Sequence, residues 1–127
     1  MPEASLIAVV EDDPFFRESM RTLMRSLGYG VEAFASAADF IASPHLIETD
    51  CLIADVQMPA MSGVELYRHL VDAGFRVPTI LVTAHPDAAD RARALDEGVV
   101  CYLRKPLDEE HLMRCLRSAL ARAELPG

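Results

Sequence analysis

The sequence lacks the features that would place the protein in a membrane or on a nucleic acid. No apolar run in its 127 residues approaches the ~20 residues that a bilayer-spanning helix requires. The start, Met1-Pro2-Glu3, has no basic segment ahead of an apolar one, so no signal peptide is visible. Basic residues number 12 against 20 acidic ones, and the formal charge of −8 argues against direct nucleic-acid binding by this domain. We therefore expect a cytoplasmic domain without membrane contact.

Cysteine is scarce and shows no spacing typical of a structural site. Cys51 and Cys101 lie within or beside apolar strands, and Cys115 lies on an apolar helix stripe. This odd number without close pairing predicts three buried, reduced thiols, as in a cytosolic protein. No pair of cysteines or histidines has the spacing of zinc ligands, which argues against a zinc site.

Five apolar stretches alternate with five helical patterns. The first stretch, residues 6–10, is continuously apolar, which is typical of a strand buried on both faces. Strands are predicted at 6–10, 31–34, 51–54, 78–82 and 99–103, and helices at 14–27, 36–41, 64–71, 87–97 and after Asp108. Short right-handed crossovers between parallel strands predict an α/β fold with a doubly wound five-stranded sheet. We expect one domain over residues 1–127, with its core at about 5–122.

Capping residues and apolar stripes define the predicted helices. Asp13, Ser36 and Asp108 are expected N-caps. The helix at 64–71 carries its predicted inner face on Val64, Tyr67, Leu70 and Val71. The helix at 87–97 has only a thin stripe of Ala88, Ala92 and Leu95. Because little burial holds that helix, we expect it to shift easily.

Four of the five predicted strands end in polar residues, which is the strongest functional signal. These residues are Glu11 and Asp12 after the first strand, Asp55 after the third, Thr83 after the fourth and Lys105 after the fifth. The carboxyl ends of parallel strands share one edge of the sheet, where ligands bind in open α/β folds. We therefore expect these side chains to meet.

The chemistry of this group predicts a phosphoryl-transfer site. Clustered carboxylates repel one another, and a divalent cation relieves that repulsion. Oxygen-only ligands favour Mg²⁺, with Mn²⁺ as an alternative. Lys105 adds a positive charge and Thr83 adds a hydroxyl donor. A cation, an ammonium and a hydroxyl around Asp55 suit a transferring phosphoryl group, with Asp55 as its acceptor.

The chain resembles the response-regulator receiver domains of bacterial two-component signalling over roughly residues 6–120. The motifs that carry this resemblance are Val9-Val10-Glu11-Asp12-Asp13, Asp55 with Met58-Pro59 and Gly63, Val82-Thr83-Ala84, and Lys105-Pro106. Three further segments resemble the nitrogen-fixation-regulator subgroup: Tyr29-Gly30-Val31, Phe34-Ala35-Ser36-Ala37 and Thr83-Ala84-His85. The resemblance implies a flavodoxin-like (βα)5 fold with strand order 2-1-3-4-5.

The resemblance also implies an acceptor and a metal site. Asp55 would take the phosphoryl group from a phosphohistidine on a sensor histidine kinase or a phosphotransfer protein. Asp12 and Asp55 would bind Mg²⁺ directly, and the backbone carbonyl of Gln57 would be a further ligand. Glu11 would act through a bound water or a longer reach.

The remaining family positions imply a switch. Lys105 would contact the phosphoryl oxygens, and Pro106 follows it where the family usually has a cis peptide bond. Thr83 would bond the attached phosphoryl group and leave space into which Tyr102 can turn. This movement would remodel the face made by the fourth helix, fifth strand and fifth helix, where a homodimer could also form. The output is binding, so the protein is a signalling switch rather than an enzyme.

Two other functions fit parts of the pattern. Phosphatases of the haloacid-dehalogenase type also use an aspartate after a strand, but they need a second acid two residues later, where this chain has Gln57. A pseudo-receiver would bind partners without phosphorylation, and the complete acceptor set argues against it. Phe15 and Phe16 are adjacent, so both cannot face the core, and one of them could contact the kinase.

Overall fold

A computed structural model describes residues 4–123 as a parallel sheet covered by helices on both faces. The strands are β1 (Leu6–Val10), β2 (Gly30–Phe34), β3 (Cys51–Asp55), β4 (Thr79–Thr83) and β5 (Cys101–Arg104). The helices are α1 (Pro14–Ser26), α2 (Ala37–Ile41), α3 (Gly63–Asp72), α4 (Ala88–Asp96) and α5 (Glu109–Ala123). All pairings are parallel in the order β2-β1-β3-β4-β5, which confirms the predicted fold and strand order. Within residues 4–123, no helix combines the length and apolar character needed to cross a bilayer.

The sheet separates two apolar clusters. Along β1, Ile7 and Val9 face the cluster that contains buried side chains of α1 and α5. Ala8 and Val10 face the opposite cluster, which α2, α3 and α4 cover. Every residue of β3 and β4 is buried, because these central strands have helices on both sides. Their carboxyl ends are therefore held firmly at one edge of the sheet.

The predicted N-caps are confirmed, and one of them fixes the chain beside that edge. Asp13 Oδ1 accepts the Phe15 N–H at 3.0 Å, so α1 begins directly after the acidic residues that follow β1. Ser36 caps α2, and Asp108 accepts backbone N–H groups at the start of α5. Within the stretch predicted as a loop, residues 44–50, a single 3-10 turn spans Leu46–Glu48.

The predicted inner faces of two helices are wrong in part. In α4 the buried residue is Ala94, whereas Ala88 and Ala92 are exposed. In α3 the inner positions include Leu66, and Val71 is 52% exposed. Small or evenly spread apolar residues leave the rotation of a helix about its axis poorly specified. The prediction that α4 buries little is nevertheless correct.

Polar contacts hold the C-terminal end of α4. The Arg68 guanidinium donates two hydrogen bonds to the Glu97 carboxylate, at 2.8 and 2.9 Å. The Tyr67 hydroxyl donates to the Glu97 carbonyl at 3.1 Å. Arg122 of α5 donates to the Gly98 carbonyl at 3.2 Å. The residues just after α4 are thus tied to both α3 and α5.

Two of the three cysteines are paired, contrary to the expectation of reduced thiols. Cys101 of β5 and Cys115 of α5 form a disulfide, with their Cα atoms 6.3 Å apart. Cys51 remains a free, buried thiol, and burial raises its pKa to about 12, so it stays protonated. The pairing was not visible in the sequence, because it depends on how α5 packs against β5.

Candidate functional site

Side chains at the carboxyl ends of β1, β3 and β5 meet at one edge of the sheet. The Lys105 ammonium lies 2.6 Å from Glu11 Oε1 and 3.1 Å from Asp55 Oδ2. Glu11 and Asp55 are 1% and 6% exposed, a degree of burial that carboxylates reach almost only when they are paired with a cation. The structure therefore brings together three of the residues that the sequence singled out, from three different strand ends.

Asp12 completes a cluster of three carboxylates. Oxygen atoms of Glu11, Asp12 and Asp55 all lie within 4.8 Å of one another, and Asp12 is the exposed member. This donor set is made of oxygen alone, which is the set that Mg²⁺ and Mn²⁺ prefer. With Lys105 as the neighbouring cation, the ionised group carries a formal charge of −2. A divalent cation would balance that charge, so the residues present fit such a metal.

The electrostatics of Glu11 reflect this excess of negative charge. Burial, followed by the neighbouring Asp55 side chain, raises the pKa of Glu11, which reaches about 7. Hydrogen bonds from Lys105 and from the Asp13 N–H lower the same pKa and only partly offset these effects. For Lys105, burial lowers the pKa, but its bonds to the two carboxylates outweigh burial and raise it above its usual value. One ammonium is therefore shared between two carboxylates.

Asp55 is fixed by the backbone around it. It is the last residue of β3, and the next N–H, that of Val56, still donates to the Val82 carbonyl of β4 at 2.8 Å. The Gln57 N–H donates to Asp55 Oδ1 at 3.1 Å. The Gly63 N–H, at the start of α3, donates to the Val56 carbonyl at 3.1 Å. These bonds orient one oxygen of Asp55 and hold α3 against the end of β3.

Lys105 is held by contacts that include one the sequence did not reveal. Its N–H donates to the Thr83 carbonyl at 2.8 Å, and the Lys105–Pro106 peptide is cis, as the family resemblance implied. The Phe16 ring lies beneath the ammonium, with its centroid 4.2 Å from Nζ. Phe15, in contrast, is 85% exposed. The sequence showed only that Phe15 and Phe16 cannot both face the core, and no sequence signal linked Phe16 to Lys105.

The Thr83 hydroxyl is bonded to Gln57. Thr83 is fully buried, and its Oγ1 donates to Gln57 Oε1 at 2.6 Å. The same oxygen accepts the His85 N–H at 3.0 Å. The sequence predicted a role for the backbone carbonyl of Gln57 but not this side-chain contact. No pattern of residue types could have shown it, because it depends on side-chain conformation.

Tyr102 occupies an inward position already. It is 7% exposed and packs in the cluster on the α4 side of the sheet. Its hydroxyl accepts the Asp87 N–H at 3.4 Å, at the N-cap of α4. The expectation that the ring turns further inward when Thr83 bonds a phosphoryl group concerns the phosphorylated state and stays a prediction. Through this bond the Tyr102 ring contacts the start of α4.

Comparison with known proteins assigns the family. The family described as response regulator receiver domain matches residues 7–117. The response regulator protein TodT of Pseudomonas putida is 38% identical over 117 residues, which are 92% of this chain and 52% of TodT. The transcriptional regulatory protein FixJ of Azorhizobium caulinodans is 33% identical over 127 residues, which are 100% of this chain and 60% of FixJ. The chain thus spans about half to three fifths of the length of these relatives.

Solved structures agree with this assignment. The crystal structure of FixJ-N superposes with a TM-score of 0.84 at 28% identity and covers 99% of both chains. The response regulator StyR gives a TM-score of 0.86 at 35% identity, covering 94% of this chain and 61% of StyR. The predicted resemblance is confirmed, and the relatives are consistent with a FixJ-like receiver. The chain therefore belongs to the response regulator receiver domains of two-component signalling.

Proposed function

We propose that residues 1–127 form one cytoplasmic receiver domain that accepts a phosphoryl group on Asp55. The donor would be a phosphohistidine on a sensor histidine kinase or a phosphotransfer protein. The observation that carries this proposal is the position of the Lys105 ammonium, 3.1 Å from Asp55 Oδ2 and 2.6 Å from Glu11. An ammonium directed at a buried carboxylate, inside a cluster of three carboxylates, suits the binding of phosphoryl oxygens.

The proposed reaction moves the phosphoryl group from nitrogen to oxygen. An Asp55 carboxylate oxygen forms a bond to phosphorus, the bond from phosphorus to the donor histidine breaks, and the imidazole keeps the electron pair. Lys105 stabilises the charge on the transferring oxygens. Phosphoryl transfer of this kind depends on positioning and charge neutralisation, which the fixed strand ends provide. The domain would catalyse this step and the later hydrolysis on itself only, so its role is signalling.

We assign the divalent cation to the acidic cluster. Asp12, Asp55 and the backbone carbonyl of Gln57 would hold Mg²⁺ or Mn²⁺, with Glu11 acting through water or at a longer distance. When bound, the metal supplies positive charge to the transferring phosphoryl oxygens. Asp12 is the exposed carboxylate of the three, so it is the one most accessible to a metal ion in solution.

The proposed output is a change in the face made by α4, β5 and α5. Thr83 would bond the attached phosphoryl group, and Tyr102 would pass the change to α4 through its contact with Asp87. Moving a two-state element from 1:99 to 99:1 needs about 5.5 kcal/mol. New hydrogen bonds to charged oxygens contribute roughly 1.5–3 kcal/mol each, so about two to four of them suffice. α4 suits this role because Ala94 is its one buried residue.

Two partner surfaces follow from the same geometry. The remodelled face of α4, β5 and α5 is the proposed homodimer or effector surface. Phe15, 85% exposed at the start of α1, is the proposed kinase contact, because it lies just after the acidic residues that follow β1. The net charge of −8 supports partners other than nucleic acid for this domain.

Phosphorylation with a small donor tests the proposal. Acetyl phosphate with Mg²⁺ should add one phosphoryl group to the wild type, and beryllofluoride with Mg²⁺ should bind it. Asp55→Ala should show neither, whereas Asp72→Ala, which removes an exposed carboxylate at the end of α3, should behave as the wild type. Equal labelling of the wild type and Asp55→Ala would remove the acceptor assignment. A wild type that neither labels nor binds would favour a phosphorylation-independent interaction module.

A further inference from the structure

Gln57 bonds both the proposed acceptor and the proposed switch residue. Its backbone N–H donates to Asp55 Oδ1 at 3.1 Å, and its side-chain Oε1 accepts the Thr83 hydroxyl at 2.6 Å. β3 and β4 are neighbours in the sheet, with Asp55 paired to Val82, so Thr83 lies one residue beyond that pair. Gln57, two residues beyond Asp55, is thereby placed against Thr83.

We propose that the Gln57 side chain is a latch that holds the Thr83 hydroxyl and so opposes the switch. This inference rests on the proposed phosphorylation of Asp55. The latch is the hydrogen bond between Thr83 Oγ1 and Gln57 Oε1. For Thr83 to bond a phosphoryl oxygen on Asp55, this bond must break. Gln57 would therefore set how strongly the domain resists its active arrangement.

The hydrogen-bonding capacity of Thr83 explains why the two bonds exclude each other. A threonine hydroxyl has a single proton to donate. That proton is given to Gln57, and the oxygen also accepts the His85 N–H at 3.0 Å. Thr83 is fully buried, so loss of its acceptor leaves a donor that solvent does not readily satisfy. A phosphoryl oxygen must therefore compete with Gln57 for the same proton.

The exposure of Gln57 limits the size of the effect. Gln57 is exposed, so water can bond its amide oxygen once Thr83 is released, which lowers the cost of breaking the bond. A typical hydrogen bond contributes a net 0.5–1.5 kcal/mol, which corresponds to roughly twofold to tenfold in an equilibrium constant. Removing the latch should shift the equilibrium by that factor toward the state in which Thr83 bonds a phosphoryl oxygen on Asp55. The backbone carbonyl of Gln57 is unchanged by a side-chain substitution, so metal binding through it is retained.

Beryllofluoride affinity in a double-mutant cycle tests the latch. Gln57→Met keeps the length of the side chain and removes the acceptor, so it should bind beryllofluoride with Mg²⁺ about two to ten times more tightly than the wild type. In a Thr83→Ala background the same substitution should change the affinity by less than about twofold, because no hydroxyl remains to be held. Thr79→Ala is the matched control. It removes a buried hydroxyl of the same strand that bonds the Val77 carbonyl, and it should leave the effect of Gln57→Met intact.

A second measurement reports the bond without any phosphoryl analogue. The His85 N–H donates to Thr83 Oγ1, so its amide NMR resonance should shift in Gln57→Met. An unmoved resonance would overturn the latch. So would unchanged or weaker beryllofluoride binding, or an equal gain in the Thr83→Ala background. A wild type that does not bind beryllofluoride would overturn both the proposed function and the latch. If the latch alone is wrong, the wild type still binds beryllofluoride, and this difference separates the two failures.

Discussion

Gly63→Ala tests whether the start of α3 positions Asp55. Gly63 is the first residue of α3 and is buried against the end of β3. A Cβ at this position would lie 2.5 Å from the Asp55 carbonyl oxygen, 3.0 Å from its carbonyl carbon and 3.0 Å from Leu81 Cδ2. Two of these three atoms belong to the backbone and cannot rotate away. The added methyl group must therefore move either α3 or Asp55 itself.

Helix propensity and tertiary packing predict changes of opposite sign in the stability of Gly63→Ala. Helix propensity alone favours alanine over glycine by about 1 kcal/mol. Overpacking costs typically 1–3 kcal/mol, and contacts to backbone atoms favour the upper end of that range. The net expectation is a loss of about 1–2 kcal/mol in the free energy of unfolding. Because Asp55 is displaced, we expect beryllofluoride affinity to fall about tenfold, equivalent to roughly 1.4 kcal/mol.

Gly74→Ala provides the matched control. Gly74 has a φ of +86°, and a Cβ there would meet no atom within 4 Å. Alanine in that left-handed conformation costs roughly 1–2 kcal/mol, a loss similar to that of Gly63→Ala. Its beryllofluoride affinity should nevertheless match the wild type. Urea denaturation and beryllofluoride titration with Mg²⁺ measure both quantities. A Gly63→Ala variant that is as stable as the wild type and binds normally would refute the reasoning.

Three further predictions concern other contacts. Phe16→Leu removes the ring beneath the Lys105 ammonium, a contact worth about 0.5–2 kcal/mol, and should slow phosphorylation by acetyl phosphate. Phe16→Tyr keeps a ring and should not slow it, and equal rates for both variants would show that the ring has no role. Thiol titration of the denatured, unreduced protein should find one free cysteine, and three titratable thiols would show that the disulfide between Cys101 and Cys115 does not form. Cys101→Ser should lower the free energy of unfolding by about 3 kcal/mol. Amide hydrogen exchange should be faster in α4 than in α1, α3 or α5, because Ala94 is the one buried residue of α4; protection equal to that of α5 would contradict this.

The fold was predictable because local and tertiary signals agree along most of the chain. The strand at 6–10 was placed at the bounds the structure gives, since five consecutive apolar residues are followed by acidic ones and a capped helix. Asp55 and Thr83 turned out to be the last residues of their strands rather than the first after them. The meeting of Glu11, Asp55 and Lys105 followed from topology alone, because parallel strands deliver their carboxyl ends to one edge.

Features that depend on side-chain conformation or on helix rotation were not predictable. The bond between Thr83 and Gln57, and the contact of Phe16 with Lys105, arise only after the elements have packed. The Cys101–Cys115 disulfide likewise requires α5 to lie against β5 in one rotation. Each of these contacts joins residues that nothing in the order or spacing of the sequence connects.

The polar contacts at the two ends of α4 differ in number and length. Its C-terminal end is tied to α3 through Arg68 and Glu97, and the next residue, Gly98, is tied to α5 through Arg122. At its other end, Tyr102 contacts the helix through one long hydrogen bond to Asp87. A movement of α4 that preserved the C-terminal bonds would therefore be a tilt about its C-terminus. At about 1.5 Å per residue α4 is roughly 13 Å long, so a 10° tilt would carry its N-terminus by about 2 Å. In the proposed switch, the displacement presented to a partner protein would therefore be greatest beside Asp87.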